Sequence, residues 1–197
     1  MLPTFGIYIS NCRRESTVSQ PFRGTATTQP PLLDRFTALD TNTISDALDF
    51  FALPGATFGL RPLWDCPKIV GRPSTIQLGP KTDARPTVHL ISPVIAEIDS
   101  DDRIVVIAGG IDGISCRGDI LANAAHFKRI RGSVIHGMSR DIEGSESLGY
   151  PVYGRGVTMV SARNRVIQFA SGQPVSVANV TVSEHGPLIA ECEGVAG

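Results

Sequence analysis

A strand, a glycine-rich loop, a helix and a second strand follow one another between residues 103 and 135, and this order constrains the fold most. Arg103–Ile107 is a short apolar run bounded by aspartates and glycines, which is typical of a buried strand. Apolar residues recur at helical spacing from Asp119 to Ile130, and Ser133–Ile135 is a second short apolar run. Because units of this type bind ligands at the carboxyl ends of their strands, the sequence predicts a site there.

Gly118-Asp119 opens the predicted helix at that rim. The helix macrodipole stabilises a carboxylate in the first turn by about 0.3 to 1 kcal/mol, so capping alone would account for Asp119. Gly118, however, lets the backbone approach a ligand closely. The free N–H groups near Asp119, Ile120 and Leu121 predict an anion site, beside an acidic side chain that handles protons or orients water.

Arg140-Asp141 follows the next predicted strand. Adjacent residues on a regular strand point to opposite faces, so the two side chains share a pocket only if the chain turns there, and Gly137 and Ser139 favour such a turn. An exposed ion pair, which contributes little to stability, is the structural alternative. The functional interpretation is a guanidinium that binds a carboxylate bidentately, beside an aspartate that binds a hard cation such as Mg²⁺ or Mn²⁺.

Other polar residues of this region give weaker signals. His126 comes nearly two helical turns after Asp119 and is expected away from the rim. His136 is close to the Arg140 turn, where a structural placement is favoured over a role in the site. Ser115 and Cys116 have no obvious base partner, so no nucleophilic triad is predicted. The loop matches neither the P-loop nor the GxGxxG dinucleotide pattern.

Composition excludes several classes of protein. The length of 197 residues suits one domain with a sizeable core, and a net charge of -1 gives no basic surface for nucleic acid. No apolar run approaches the roughly 18 residues that a membrane span needs. The four cysteines are far apart and form no CxxC, and the first residues lack the basic region of a secretory signal. We therefore expect a soluble, cytoplasmic protein with reduced thiols.

The chain divides into an extension, residues 1–31, and a folded domain, residues 32–197. The extension is rich in Ser, Thr, Gln and Pro, which predicts a disordered or loosely docked segment, with an organellar transit peptide as the alternative.

In the domain, Gly71 and Pro73 interrupt the strand pattern of Lys68–Leu78, so a bend or a sheet edge is expected. Helices are also predicted at Thr41–Phe51, within Thr87–Glu97 and at Ile142–Leu148. Further strands are predicted at Val152–Met159, Arg165–Phe169, Val175–Val182 and Leu188–Glu191. Early helices, a central strand–helix–strand unit and a β-rich end predict an α/β domain layered as β/β/α.

The order of these motifs resembles the 4-hydroxy-4-methyl-2-oxoglutarate aldolase family, which also contains the regulator of RNase E activity A and proteins labelled dimethylmenaquinone methyltransferase-like. The resemblance spans residues 34 to 195 and leaves residues 1–31 outside. The matching residues are Gly109-Gly110, Gly118-Asp119-Ile120-Leu121, Val134-Ile135, Gly137, Arg140-Asp141 and Ser147–Val152. The helix sequence TNTISDAL, residues 41–48, also resembles the opening helix of the family.

The resemblance implies a β/β/α fold similar to the phosphohistidine swivelling domain, assembled as a homotrimer or as a hexamer formed by two trimers. It also implies class II aldolase chemistry with Mg²⁺ or Mn²⁺. The backbone of Gly118, Asp119, Ile120 and Leu121 and the side chain of Arg140 would hold the substrate. Asp141 would bind the metal directly or through water, and Asp119 would position a water for proton transfer. Asp119 and Arg140 are thus the implied catalytic residues.

Two functions follow from the resemblance. The first is a metal-dependent lyase, of the aldolase and oxaloacetate decarboxylase type, that cleaves a 2-oxo acid through a pyruvate enolate. The second is a non-catalytic regulatory binding protein like the RNase E inhibitor. The intact GD and RD motifs favour the lyase, because a binding protein has no need of a metal-ligating aspartate. A methyltransferase is disfavoured because no glycine-rich cofactor motif opens a Rossmann-like unit.

The sequence departs from the family pattern in three places. His136 stands where a small acidic or neutral residue is expected, and Gly186-Pro187 replaces the usual GD before the last strand. The C-terminal extension that reaches a neighbouring active site in some of these aldolases is not found after Val195. These departures bear on the identity of the substrate more than on the enolate chemistry.

Overall fold

A computed structural model describes residues 31–82 and 91–197 of the chain. Apart from Pro31, the extension predicted for residues 1–31 lies outside the described residues, so that boundary stays a prediction. Of the helices in the two described ranges, none is both long and apolar enough to cross a membrane.

Helices and strands alternate through the first part of the described chain, and strands dominate its end. The helices are α1 (Leu32–Thr37), α2 (Thr41–Phe50), α3 (Ser92–Glu97), α4 (Asp119–Phe127) and α5 (Ile142–Ser147). The strands are β1 (Arg61–Pro62), β2 (Ile69–Pro80), β3 (Arg103–Ala108), β4 (Ser115–Arg117), β5 (Gly132–Ser139), β6 (Val152–Val157), β7 (Val166–Ser171), β8 (Val175–Val177), β9 (Val180–Val182), β10 (Leu188–Glu191) and β11 (Gly194–Ala196). The predicted α/β class is confirmed.

One large sheet organises the described residues. Its strands follow the order β1-β6-β5-β3-β2-β10-β11, while β4 pairs with β5 and β7 pairs with β2. The central strands β2, β3, β5 and β6 run parallel to one another. The end strands β1 and β11 contact each other, so the sheet curls into a nearly closed barrel. The similarity to the phosphohistidine swivelling domain stays a prediction.

Alternate side chains of β3 supply both faces of the core, as the period of a strand requires. Val105 and Ile107 are fully buried against the face covered by α3 and α4. Ile104 and Val106 are buried against the opposite face, which is covered by β10 and by the two-stranded β8-β9 sheet. The carboxyl end of this doubly covered sheet is the edge at which the predicted site falls.

β2 is continuous through Pro73, so the strand is not interrupted there, but at Pro73 one side of β2 has no strand partner, as the predicted sheet edge requires. Arg72 N–H donates to Asp102 O at 2.8 Å on the β3 side, and the nitrogen of Pro73 therefore faces the other side. On that side β2 pairs with β10 up to Gly71 and with β7 only from Ile76. Pro73 lies between these two pairings, where its missing donor costs no ladder hydrogen bond.

The single strand predicted for Val175–Val182 is wrong, because this segment folds back on itself. It forms the antiparallel pair β8-β9, in which Val177 lies opposite Val180. Ala178 takes a left-handed conformation with a φ of 53° and makes the tight turn. The apolar residues on both sides of the turn hid it in the sequence.

Candidate active site

A parallel strand pair brings the two predicted motifs to one rim. The short strand β4 pairs with β5, with Arg117 opposite Ser139, and the N–H of Arg140 donates to the carbonyl of Arg117 at 3.0 Å. The residues that follow each strand therefore end at the same edge of the sheet. Asp119 begins α4 there, and Asp141 is the residue directly before α5.

Asp141 itself makes the turn that the Arg140-Asp141 motif needs. Its backbone is left-handed, with a φ of 57°, which is uncommon for a residue with a side chain and recurs at functional sites. Its Oδ2 accepts the N–H of Asp119 at 3.0 Å and lies 3.4 Å from Nε of Arg140. Both side chains of the ion pair are about two-fifths exposed, so the pair by itself contributes little to stability.

The N–H groups at the start of α4 match the predicted anion site only in part. The N–H of Asp119 is bonded to Asp141, and the N–H of Leu121 donates back to the carbonyl of Gly118 at 3.2 Å. The N–H of Ile120 has no hydrogen-bond partner within residues 31–82 and 91–197. A carboxylate of the protein thus occupies part of this N-terminus, and substrate binding by residues 118–121 stays a prediction.

Two glycines make room for the aspartates. A Cβ at Gly118 would lie 2.6 Å from Asp141 Oδ2 and 3.0 Å from Arg140 Nε, and a Cβ at Gly144 in α5 would overlap the carboxylate of Asp119. The φ of Gly118 is -146°, which any residue adopts, so space rather than backbone conformation favours glycine there.

These residues line one pocket of about 330 Å³. Its walls are β4 with the first turn of α4, the Arg140-Asp141 turn, and the segment Ser161–Asn164. Gly118, Asp119, Ile120, Leu121, Arg140 and Asp141, the predicted site residues, all line it. The structure therefore brings together every residue that the sequence placed at the site. The roles assigned to them stay predictions.

Sequence reasoning missed Arg117. Only 3% of this residue is exposed, and its Nη1 donates to Ser145 Oγ at 3.1 Å. Its guanidinium carbon lies 4.9 Å from the centre of the Tyr150 ring. Burial lowers the pKa of Arg117, while Tyr150, Asp119 and Asp141 act in the opposite direction. The sequence signal is a basic residue directly before Gly118-Asp119, in a segment whose glycines predict only a loop.

The carboxylate oxygens of Asp119 and Asp141 fit a hard cation that keeps some of its water ligands. Within the described ranges, no three His, Cys, Asp or Glu side chains cluster closely enough to hold a metal by themselves. Oδ1 of Asp141 and both carboxylate oxygens of Asp119 make no hydrogen bond to the described part of the chain. One or two carboxylates completed by water and substrate oxygens are the usual surroundings of Mg²⁺.

The remaining polar candidates do not form a second reactive centre at this rim. His126 lines a larger, open groove of about 710 Å³ at the other end of α4, whose lining contains no carboxylate. His136 lies outside the 330 Å³ pocket, and burial together with Arg155 lowers its pKa. Cys116 lines the pocket, but burial raises the pKa of its thiol to about 11, so it is a poor nucleophile at neutral pH.

Comparison with known proteins agrees with the motif pattern. A family model described as RraA-like, Aldolase/RraA, matches residues 41–196. This chain belongs to the RraA-like family. The recognition made from the GD and RD motifs is thereby confirmed, and the RraA-like match lies within the predicted domain.

Three relatives show the range of this RraA-like family. Protein DlpA of Legionella pneumophila is 31% identical over 196 residues, and the alignment covers 95% of this chain but 32% of DlpA, so the chain spans about a third of that relative. A putative 4-hydroxy-4-methyl-2-oxoglutarate aldolase of Halalkalibacterium halodurans is 27% identical, over 83% of this chain and 74% of that protein. The solved structure of Streptomyces coelicolor RraAS2, an unusual member of the RNase ES inhibitor RraA protein family, has a TM-score of 0.75 at 21% identity. It covers 84% of this chain and 82% of that one, and it supports the fold alone.

Proposed function

We propose that this RraA-like protein is a divalent-metal-dependent lyase that cleaves a carbon–carbon bond of a 2-oxo acid through a pyruvate enolate. The observation that carries the proposal is the contact between the two motifs, in which the carboxylate of Asp141 bridges the backbone of Asp119 and the guanidinium of Arg140. A guanidinium, a carboxylate that would hold a metal and a second carboxylate in one pocket are groups that can stabilise an enolate and move its proton. The relative named as a putative aldolase supports the same reading.

Arg140 would bind and orient the substrate. Its Nε faces Asp141, and its other guanidinium nitrogens make no hydrogen bond to the described residues. Those nitrogens are available to the carboxylate and the 2-oxo oxygen of a substrate, where the positive charge stabilises the oxygen that becomes negative as the enolate forms.

Asp119 would move the proton. In cleavage of a 4-hydroxy-2-oxo acid, the proton of the C4 hydroxyl passes through a water to the carboxylate of Asp119, the C4–O bond becomes a carbonyl and the C3–C4 bond breaks. The electron pair of that bond passes to C3 and C2 as the pyruvate enolate, and the proton held by Asp119 returns through the water to C3. In oxaloacetate the same C3–C4 bond breaks with loss of carbon dioxide, so one site can serve both substrates.

Asp141 is the residue that would hold Mg²⁺ or Mn²⁺, directly or through water. When bound, such a cation supplies Lewis-acid stabilisation of negative charge on the substrate oxygens. Asp141, which would hold the cation, lies beside the guanidinium of Arg140 in the wall of the same pocket.

The competing function is a non-catalytic regulatory binding protein. The RraA-like family contains proteins named as RNA-processing inhibitors, and the fold alone does not separate them from the aldolases. The two functions differ in what they need from Asp141, because contact with a partner protein does not require a carboxylate inside a pocket.

Pyruvate release from oxaloacetate and from 4-hydroxy-4-methyl-2-oxoglutarate tests the proposal directly. We expect turnover with Mg²⁺ or Mn²⁺, none in EDTA, and loss of most activity in Asp141→Asn. Asp112→Asn is the matched control, because Asp112 pairs with Arg155 at 3.3 Å and does not line the pocket. Absence of turnover on both substrates, or full activity in EDTA, would contradict the proposal.

A further inference from the structure

Arg163 is an arginine of the pocket wall that the proposed chemistry does not use. It lies between β6 and β7 and lines the 330 Å³ pocket together with Arg140. The residue is exposed, so a ligand that enters the pocket can reach it. Among the residues that the structure describes, its guanidinium forms no hydrogen bond and no ion pair. The guanidinium nitrogens are therefore available to a ligand.

The turn that carries Arg163 is held by hydrogen bonds of its own. The N–H of Arg163 donates to Oγ of Ser161 at 3.1 Å, and its carbonyl accepts Nη1 of Arg165 at 3.3 Å. The N–H of Arg165 donates to the carbonyl of Ala162 at 2.9 Å, and Asn164 completes the turn in a left-handed conformation with a φ of 63°. Because the backbone on both sides of Arg163 is fixed, a ligand that binds it has to order only the side chain.

Arg163 and Arg140 reach the pocket from different elements. Arg140 follows β5 and contacts Asp141 through Nε at 3.4 Å, whereas Arg163 belongs to the segment that follows β6. The two arginines thus stand in separate walls of one pocket. Its volume lies at the lower end of the range of about 300 to 1,000 Å³ that is usual for small-molecule sites, which suits a small acid held at two points.

The charges of the pocket leave one exposed cation without a counter-ion. Three arginines and two aspartates line it: Arg117, Arg140, Arg163, Asp119 and Asp141. Arg117 is buried, and Arg140 forms an ion pair with Asp141. In the described ranges, no carboxylate lies within ion-pair distance of Arg163. A ligand with a single carboxylate, held by Arg140, would leave Arg163 unpaired, whereas a second carboxylate would pair with it.

We infer that Arg163 is a specificity-determining residue that binds a second carboxylate of the substrate, at the end away from the 2-oxo acid group held by Arg140. A guanidinium offers two parallel N–H donors to the two oxygens of a carboxylate, so it recognises this group better than an uncharged end. The inference deepens the proposed function and rests on it for the role of Arg140. It also agrees with the two candidate substrates, since oxaloacetate and 4-hydroxy-4-methyl-2-oxoglutarate are both dicarboxylates.

Two five-carbon 2-oxo acids that lack the C4 hydroxyl give a matched test. 2-Oxoglutarate has a carboxylate at its far end, and 2-oxopentanoate has a methyl group there. Calorimetric titration in Mg²⁺ should show the wild type binding 2-oxoglutarate about tenfold more tightly than 2-oxopentanoate, as expected for a hydrogen-bonded charge pair. Arg163→Met should abolish this preference and leave the affinity for 2-oxopentanoate unchanged.

Two further variants separate recognition by the fork from general charge. Arg163→Lys keeps the positive charge but lacks the two parallel donors, so it should retain only part of the preference. Arg155→Met removes an exposed arginine outside the pocket and should keep the whole preference. The inference is overturned if the wild type binds both acids equally or does not bind 2-oxoglutarate, if Arg163→Met keeps the preference, or if it weakens both acids by the same factor. Because neither acid is a substrate for cleavage, a failed turnover assay and a failed binding preference are distinguishable.

Discussion

At the scale of single residues, the guanidinium of Arg140 contacts Asp141 through Nε, and its other two nitrogens make no hydrogen bond to the described residues. Nε faces Asp141 at 3.4 Å, and about 39% of the side chain is exposed to the pocket and solvent. Arg140→Lys keeps the charge but loses the planar fork. We expect kcat/KM for pyruvate release to fall about tenfold or more, equivalent to about 1.4 kcal/mol. Arg155→Lys is the control, and an Arg140→Lys enzyme with unchanged kinetics would show that Arg140 only forms a surface ion pair.

A substitution of Asp119 tests proton transfer separately from metal binding. Its backbone N–H contacts Asp141, while its carboxylate makes no hydrogen bond within the described ranges and faces α5 at Gly144. Asp119→Asn keeps the shape and this N–H but removes the base. Turnover should fall by about 10²- to 10⁴-fold, the usual effect of losing a general acid or base, while calorimetry still shows binding of Mg²⁺ and pyruvate.

Two other results for Asp119→Asn would contradict this division of roles. Loss of metal affinity together with turnover would make Asp119 a metal ligand. A lower melting temperature with normal turnover would mean that Asp119 acts only at the helix N-terminus, where a carboxylate contributes about 0.3 to 1 kcal/mol.

At the scale of elements, the site depends on how closely the start of α4 approaches the turn before α5. Gly118→Ala would place a methyl carbon 2.6 Å from Asp141 Oδ2 and so push that carboxylate away from the N–H of Asp119. We expect turnover to fall about tenfold or more, which corresponds to about 1.4 kcal/mol in the barrier. Gly186→Ala is the control, since no described atom lies within 4 Å of its added Cβ. Normal kinetics in Gly118→Ala would show that the contact between α4 and Asp141 is not needed.

The elements that the sequence predicted well are those with a clear apolar period. The strand at Arg103–Ile107 and the helix opening at Asp119 were predicted close to their observed bounds, and their order correctly located the rim. The helix predicted to start after Asp40 is confirmed, and the Asp40 side chain accepts the N–H of Thr43 at 2.6 Å. Such elements carry their own burial pattern and cap, so local sequence suffices to predict them.

The elements and residues that the sequence missed depend on tertiary partners. β4 has only three residues, Ser115–Arg117, and is a strand because β5 offers it a free edge, which no local pattern reveals. The sequence predicts an interrupted strand at Pro73, whereas the structure has a continuous one, because the gap between the two pairings of β2 is a property of the sheet. The buried state of Arg117 arises from Tyr150 and Ser145, which follow it by more than 25 residues, so the local sequence does not reveal it.

At the scale of the whole molecule, the end of β6 and the segment after it expose apolar side chains beside the pocket. Val157, Met159 and Val160 are 57%, 91% and 38% exposed, and the chain then continues into the pocket wall at Ser161. Exposed apolar groups that lie together commonly mark a protein interface. This surface is where we place the contact between subunits in the trimer or hexamer that the family resemblance implies.

Sedimentation of the wild type, Met159→Asp and Phe127→Asp tests that assembly. We expect the wild type to have three or six times the mass of one chain, because closed symmetric oligomers bury such surfaces repeatedly. A charge at Met159 should shift the protein to smaller species, since an unpaired charge is costly in an interface. Phe127 is 87% exposed beside the larger groove, and Phe127→Asp should leave the mass unchanged. A wild type that sediments as a single chain at all concentrations would contradict the assembly. If Phe127→Asp dissociates the oligomer and Met159→Asp does not, the interface lies at the opposite end of α4.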